Sequence, residues 1–248
     1  MFDSGVGGIS VLRELIKIMP NENYIYFGDS KNAPYGSRSK SEVLELTRSN
    51  LDMLKAMGIK AFVVACNTAT SASVRILRGE NPDLVIVGIE PAIKPPSDEL
   101  DHPRVLVMAT PLTLKEEKFS RLVERYADRE HVIPLPCPRL AELIEGGDLD
   151  GEEINSYIEE LLSPYVNGEI DALVLGCTHY PHVKDIIERH VPENVRIYDG
   201  GIGTARHTKR LLESAELLNP SHDRGTVRIL NSSNNEKYIE LSEKLLYR

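Results

Sequence analysis

The chain has 248 residues, 41% hydrophobic and 27% charged, the balance of an ordinary soluble globular protein with one large or two small domains. Its net charge of −9 argues against a nucleic-acid-binding role, because neutralising a phosphate backbone takes clustered Lys and Arg. No apolar run is long enough to span a bilayer, no signal peptide is visible, and three cysteines make no disulfide framework, so no membrane association and a cytoplasmic location are expected.

In chain order, a helical pattern over Val11–Met19 precedes a strand-like run at Tyr24–Phe27, a helix over Glu42–Met57 and a strand at Ala61–Cys66. A helix over Ala69–Leu77 and strands at Leu84–Ile89 and Arg104–Ala109 follow, then a helix over Leu114–Ala127 and a strand at Val132–Leu135. The rest alternates helix Glu152–Val166, strand Ala172–Gly176, helix Val183–Val191, strand Val195–Tyr198, helix Thr204–Leu218 and strand Thr226–Leu230. Asn235–Tyr247 closes the chain with Tyr238, Leu241 and Leu245 at helical spacing. The strands are short and rich in Val, Ile and Leu, as strands buried on both faces should be, and the alternation predicts an α/β fold with mostly parallel sheets. Pro91–Pro96 reads as a crossing segment between domains, since proline continues neither a central strand nor a helix interior. The glycines of Tyr198–Gly203 read as a turn and a second boundary.

The most informative feature is a long-range echo. Ala61-Phe-Val-Val-Ala-Cys66-Asn67-Thr68 resembles Asp171-Ala-Leu-Val-Leu-Gly-Cys177-Thr178, which points to an internal pseudo-duplication with a cysteine at the end of a buried strand in each half. Ligands of open α/β sheets bind beyond the carboxyl ends of the strands. A thiol there, at the start of a helix, meets the partial positive charge that favours thiolate. One such cysteine alone is more often a small buried hydrophobe, but two at equivalent positions, each followed by hydroxyl, amide or imidazole groups, point to chemistry. His179, two residues after Cys177, can take the thiol's proton or stabilise the thiolate; a hydrogen-bonded loop histidine is the plain alternative. Cys137, between Pro136 and Pro138, reads as packing, and His102, His182, His190 and His222 as surface residues. A Cys66–Cys177 disulfide is a poor rival in a reducing compartment, and no ligand spacing supports zinc or another metal.

Near the start, Gly5, Gly7 and Gly8 precede a helix and can bring backbone N–H groups to an anion, although their spacing fits neither a dinucleotide fingerprint nor a Walker A loop. Asp3 just before them is either a helix cap or a functional carboxylate. Asp29–Ser39 is a polar loop between a strand and a helix, and its Pro34-Tyr35-Gly36 taken alone is a turn.

Together, Asp3-Ser4-Gly-Val-Gly-Gly8, Pro34-Tyr35-Gly36, Ala65-Cys66-Asn67-Thr68-Ala69 and Gly176-Cys177-Thr178-His179-Tyr180-Pro181, in this order, resemble glutamate racemases of the cofactor-independent aspartate/glutamate racemase superfamily. Ile89-Glu90-Pro91, Ala109-Thr110-Pro-Leu-Thr113 and the stretch from Cys137-Pro138 to Glu145-Gly146 agree, so the resemblance covers nearly the whole chain. It implies two pseudo-symmetric α/β domains with the active site in the cleft between them, the first discontinuous over 1–91 plus 204–248 and the second over 92–203. It also implies interconversion of L- and D-glutamate without a cofactor or metal, supplying D-glutamate for peptidoglycan, by a homodimer. Cys66 and Cys177 match the two proton-transferring thiols, Asp3 and His179 match groups that assist them, and Glu145 matches a carboxylate near the second thiol. Ser4, Tyr35, Gly36, Asn67, Thr68, Thr110, Thr178, and again Asp3 and His179, match substrate contacts. His179 after Cys177-Thr178 favours glutamate over aspartate or hydantoin as substrate, and a relative kept only for binding is the other alternative.

The chemistry fits. Racemisation removes an α-proton from one face and returns one to the other, which a pair of opposed acid–base groups does without rotating the substrate. No lysine sits in a motif suited to a pyridoxal Schiff base. Family members usually have a few more residues of first strand before Asp-Ser-Gly, whereas only Met1-Phe2 stand here, so either that strand is nearly absent or the start is shortened, and a missing strand edge would loosen the placement of Asp3.

Overall fold

A computed structural model describes residues 1–147, 149–165 and 168–248. These form two compact units, Met1–Glu90 with Gly201–Arg248, and Pro91–Gly200.

The first unit opens with β1 (Phe2–Asp3), α1 (Ile9–Ile18) and β2 (Tyr24–Gly28), then a short 3-10 turn at Tyr35–Ser37 and α2 (Lys40–Lys55). β3 (Ala61–Val64), α3 (Asn67–Glu80) and β4 (Val85–Gly88) follow. α2 starts where it does because Ser39 and Glu42 satisfy each other's backbone N–H groups in a capping box. Its Val43, Thr47, Leu51 and Leu54 then repeat at helical spacing and bury one face. β1 is short, as expected, yet it lies at the centre of its sheet: Phe2 pairs with Phe27 on one side and Val64 on the other, and its ring stacks on Phe62 at 5.9 Å. Asp3 is accordingly not loose. It is fully buried, and its backbone carbonyl accepts the Asp29 N–H at 3.0 Å.

In the second unit α4 (Lys94–Glu99) leads to β5 (Arg104–Ala109), α5 (Pro111–Lys115), α6 (Glu117–Tyr126) and β6 (His131–Pro136). α7 (Leu140–Glu145), α8 (Glu152–Leu162), β7 (Ala172–Leu175), α9 (Lys184–Arg189) and β8 (Arg196–Asp199) complete it. Four readings of the sequence change here. Residues 94–96 belong to a helix, because Pro95 and Pro96 sit in its first turn, where a missing N–H costs nothing. The helix read over Leu114–Ala127 is two helices, broken at Glu116, whose backbone is extended. α7 has too few residues to announce itself by periodicity. The helix read to Val166 ends at Leu162 with a 3-10 turn over Ser163–Tyr165, and Val166 itself lies outside the described residues. β6 tolerates Pro134 and Pro136 because it is an edge strand, and for the same reason it is not buried on both faces.

The chain returns to the first unit through α10 (Gly201–Ser214), β9 (Val227–Asn231) and α11 (Lys237–Tyr247). Gly201 and Gly203, read as part of a turn, lie in the first turn of α10 instead. Both sheets are parallel throughout, in the orders β4-β3-β1-β2-β9 and β6-β5-β7-β8. With β9 set aside the two orders are the same, and β3 and β7 fill equivalent slots. In each sheet the strand order reverses beside that slot, between β1 and β3 and between β5 and β7, the position where α/β sheets bind ligands.

Candidate active site

Cys66 lies two residues beyond β3, at the N-cap of α3. Its backbone is extended, its carbonyl accepts the Thr70 N–H at 2.8 Å, and its sulfur accepts the Ala69 N–H at 3.4 Å. A thiolate there is stabilised by a helix terminus that needs an acceptor. Asn67 and Thr68, the first residues of the helix, are buried. Among the described residues the enclosed Asn67 amide oxygen has no hydrogen-bond partner. Asp3 ends the neighbouring strand, and its carboxylate accepts the Gly5 N–H at 3.0 Å. It does not cap α1, whose N-cap is Gly8. A Cβ on Gly8 would lie 2.7 Å from the Asp3 side chain, so glycine is what lets the helix start so close to this carboxyl. Ser4 is buried as well. Tyr35 is buried in the same apolar cluster as Cys66, with Gly36 half-buried beside it. The Tyr35 hydroxyl donates to Asp29 at 2.6 Å. Burial, then Asp29, then the nearby charges of Cys66 and Asp3 push its ionisation far above the usual phenol range.

Cys177 lies two residues beyond β7, but no α-helix begins there. A 3-10 turn over Tyr180–Val183, with Pro181 in it, intervenes before α9, so the helix-terminus environment anticipated for both thiols holds only for Cys66. Cys177 has a side-chain partner. His179 Nδ1 stands 3.6 Å from its sulfur, and His179 Nε2 stands 2.6 Å from Glu145 Oε1. Burial disfavours an imidazolium here, but the sulfur on one side and the carboxylate on the other outweigh it and hold His179 well above its ordinary value. In that form Nδ1–H donates to sulfur and Nε2–H to Glu145. Thr178 is buried, and Thr110, just after β5 on the adjacent strand, caps α5 by accepting the Thr113 N–H at 3.3 Å. A Cβ on Gly176 would meet the Met108 carbonyl at 2.8 Å, so only glycine lets β7 leave the sheet this close to β5.

Among the described residues the three cysteines are free, and none of their clusters with His, Asp or Glu could hold a metal. Cys137 packs, donating to the Leu135 carbonyl, and burial pushes its thiol up to about 12. His182, read as a surface residue, is buried, because the 3-10 turn after Cys177 carries it inward. Asp29 and Asn32 lie in the polar loop read from the sequence, but neither was singled out within it; Asp29 accepts from Asn32, Tyr35 and Asn50, and nothing in α2 marks Asn50.

The sequence profile of Asp/Glu/hydantoin racemases matches residues 8–208. The chain belongs to the Asp/Glu/hydantoin racemase family. This racemase is 50% identical over 245 residues to glutamate racemase of Clostridium perfringens, an alignment covering 99% of the chain and 94% of the relative. Its fold is similar to the crystal structure of glutamate racemase from Francisella tularensis in complex with D-glutamate, with a TM-score of 0.85, 28% identity, and 100% and 92% of the two chains covered. It is also similar to Escherichia coli glutamate racemase in complex with L-glutamate and the activator UDP-MurNAc-Ala, with a TM-score of 0.86, 30% identity, and 98% and 93% covered. The chain is thus an amino-acid racemase, an isomerase. Among the described residues no helix is long and apolar enough to cross a membrane.

Proposed function

We propose that this racemase interconverts L- and D-glutamate without a cofactor, using Cys66 and Cys177 as its two proton-transferring groups. One thiolate takes the proton from Cα, leaving a carbanion whose charge spreads into the adjacent carboxylate. The other cysteine, as a thiol, gives a proton to the opposite face, and the roles exchange in the reverse direction. The observation that carries this reading is the repeat: two sheets of the same order, each with a buried free cysteine beyond the equivalent strand and each cysteine with its own hydrogen-bond partner.

In this reading His179, oriented by Glu145, stabilises the Cys177 thiolate, and Asp3 assists Cys66. The neutral donors and acceptors of Ser4, Tyr35, Gly36, Asn67, Thr68, Thr110 and Thr178 hold the substrate and oppose the developing charge with fixed dipoles. Glutamate as substrate follows from the relatives, and supply of D-glutamate for peptidoglycan, in the cytoplasm and as a homodimer, completes the reading. The test is to incubate the protein with L-glutamate in deuterated water. Optical activity decaying to zero as deuterium enters Cα supports it. Glutamate binding without exchange, or racemisation of aspartate with glutamate untouched, overturns it.

A further inference from the structure

We infer that Asp29 is a positioning residue for the Cys66 side of this site: by taking the Tyr35 hydroxyl proton in a hydrogen bond it fixes the Tyr35–Ser37 turn from which Tyr35 and Gly36 meet the substrate. The inference rests on the proposed reading of Tyr35 and Gly36 as substrate contacts.

Asp29 immediately follows β2, and its backbone N–H donates to the Asp3 carbonyl, which fixes it beside β1. Its residue exposure is 1%. The carboxyl group accepts from the Tyr35 hydroxyl at 2.6 Å, from the Asn32 amide at 3.0 and 3.1 Å on its two oxygens, and from the Asn50 amide at 3.3 Å. Among the described residues no cation forms an ion pair with it. A carboxyl group buried among neutral donors is an expensive way to fill space, and an apolar residue of similar volume would pack at lower cost. What it does is gather three segments, the loop at Asn32, the turn at Tyr35 and α2 at Asn50, around one acceptor.

The Tyr35 hydroxyl is therefore committed as a donor, and the Asn50 amide stands 3.4 Å from its oxygen. It has no proton left for a substrate carboxylate. What the turn offers the substrate is its backbone, and its far side is closed by Arg38 N–H on the Tyr35 carbonyl and Arg38 Nε–H on the Asn32 carbonyl. The phenol lies near enough to Cys66 and Asp3 to feel their charges, so a shift of the turn is felt where the first thiol works.

Kinetics of D29A, Y35F and the double variant, with glutamate in both directions, test this. Each single variant is expected to raise KM about ten-fold with kcat changed by less than about three-fold, and the double variant to raise KM no more than the larger single change, since both remove one hydrogen bond. A residue that only held the fold would lower the unfolding midpoint and the active fraction, hence kcat, and leave KM alone. That result, an unchanged KM, or KM effects that multiply in the double variant, overturns the inference while the racemase reading stands. A wild-type protein that does not racemise glutamate overturns both.

Discussion

The ends of β3 and β7 occupy the same slot in two sheets of the same order, yet their cysteines are served by different chemistry. Cys66 is met by a backbone N–H at a helix start, a fixed partial charge that does not titrate. Cys177 is met by His179, itself held by Glu145, a side-chain arrangement that titrates and can be cut at two places. In the proposed reading, the repeat thus preserves where a reactive group stands more faithfully than what activates it. The largest expected effect shows what the two sites share. Cys66→Ala and Cys177→Ala should each lower the racemisation rate by a factor on the order of 10⁴ or more with the fold intact, because each face of the substrate needs its own proton carrier. Circular dichroism of glutamate solutions measures the rate and that of the protein confirms its folding. Normal turnover by either variant would break the equivalence of the two sites.

His179→Asn should expose what the sites do not share. The expected loss in kcat/KM is on the order of 10²-fold, and Glu145→Gln, one bond further from sulfur, should cost about ten-fold. Enantiomers have equal free energy in water, so kcat/KM must fall equally in both directions. The asymmetry appears in the isotope effect. With substrate deuterated at Cα, the His179→Asn variant should show a larger primary effect in the direction in which Cys177 abstracts the proton than in the other. Equal effects in both directions would mean that His179 serves both thiols alike.

The residues after the two cysteines differ as well. Thr178 and Asn67 are both buried, but among the described residues the Asn67 amide oxygen has no partner. Leaving a buried acceptor unsatisfied costs about 1–3 kcal/mol. Asn67→Ala should therefore leave the unfolding midpoint unchanged or higher while raising KM for glutamate about ten-fold, a loss of binding from a group that contributes nothing to the empty protein's stability. A lower midpoint with an unchanged KM would make Asn67 structural.

The strands, and the places of two cysteines just beyond their ends, were legible in the sequence, because buried parallel strands are short apolar runs and because the same run ends twice in a cysteine. The surroundings were poorly legible. That proline starts α4 depends on whether it falls in the first turn or the interior, which composition does not reveal. That Cys177 is followed by a 3-10 turn rather than an α-helix depends on packing around Pro181, and the burial of His182 follows from that turn. The Glu145–His179 pair joins residues far apart in the chain, and resemblance to a family, not spacing, brought Glu145 to notice. Asn50 had no signal at all: its role exists only because α2 passes over the Asp29 loop.

A last contrast sets two buried carboxyls side by side. Asp29 in the first unit is surrounded by donors, whereas both oxygens of Glu130 in the second, just before β6, lack hydrogen-bond partners among the described residues. Its neighbour Arg129 is drawn to Asp98 at 3.0 Å and to the Ser97 carbonyl at 2.6 Å. Burial raises the Glu130 carboxyl to about 7, with Arg129 opposing and Asp98 adding to the shift. In the unfolded chain it titrates near the ordinary 4.5. Between these values the folded state holds the proton and the unfolded state does not, so stability falls as pH rises from about 4.5 and the loss is complete above about 7. Glu130→Gln removes the titration. The variant should unfold at a higher temperature than wild type at pH 8, and the gap should close as the pH is lowered toward 4.5. Scanning calorimetry at several pH values measures it. A gap that does not change with pH would show that the buried carboxyl meets a partner in solution, as Asp29 does, and would erase the contrast.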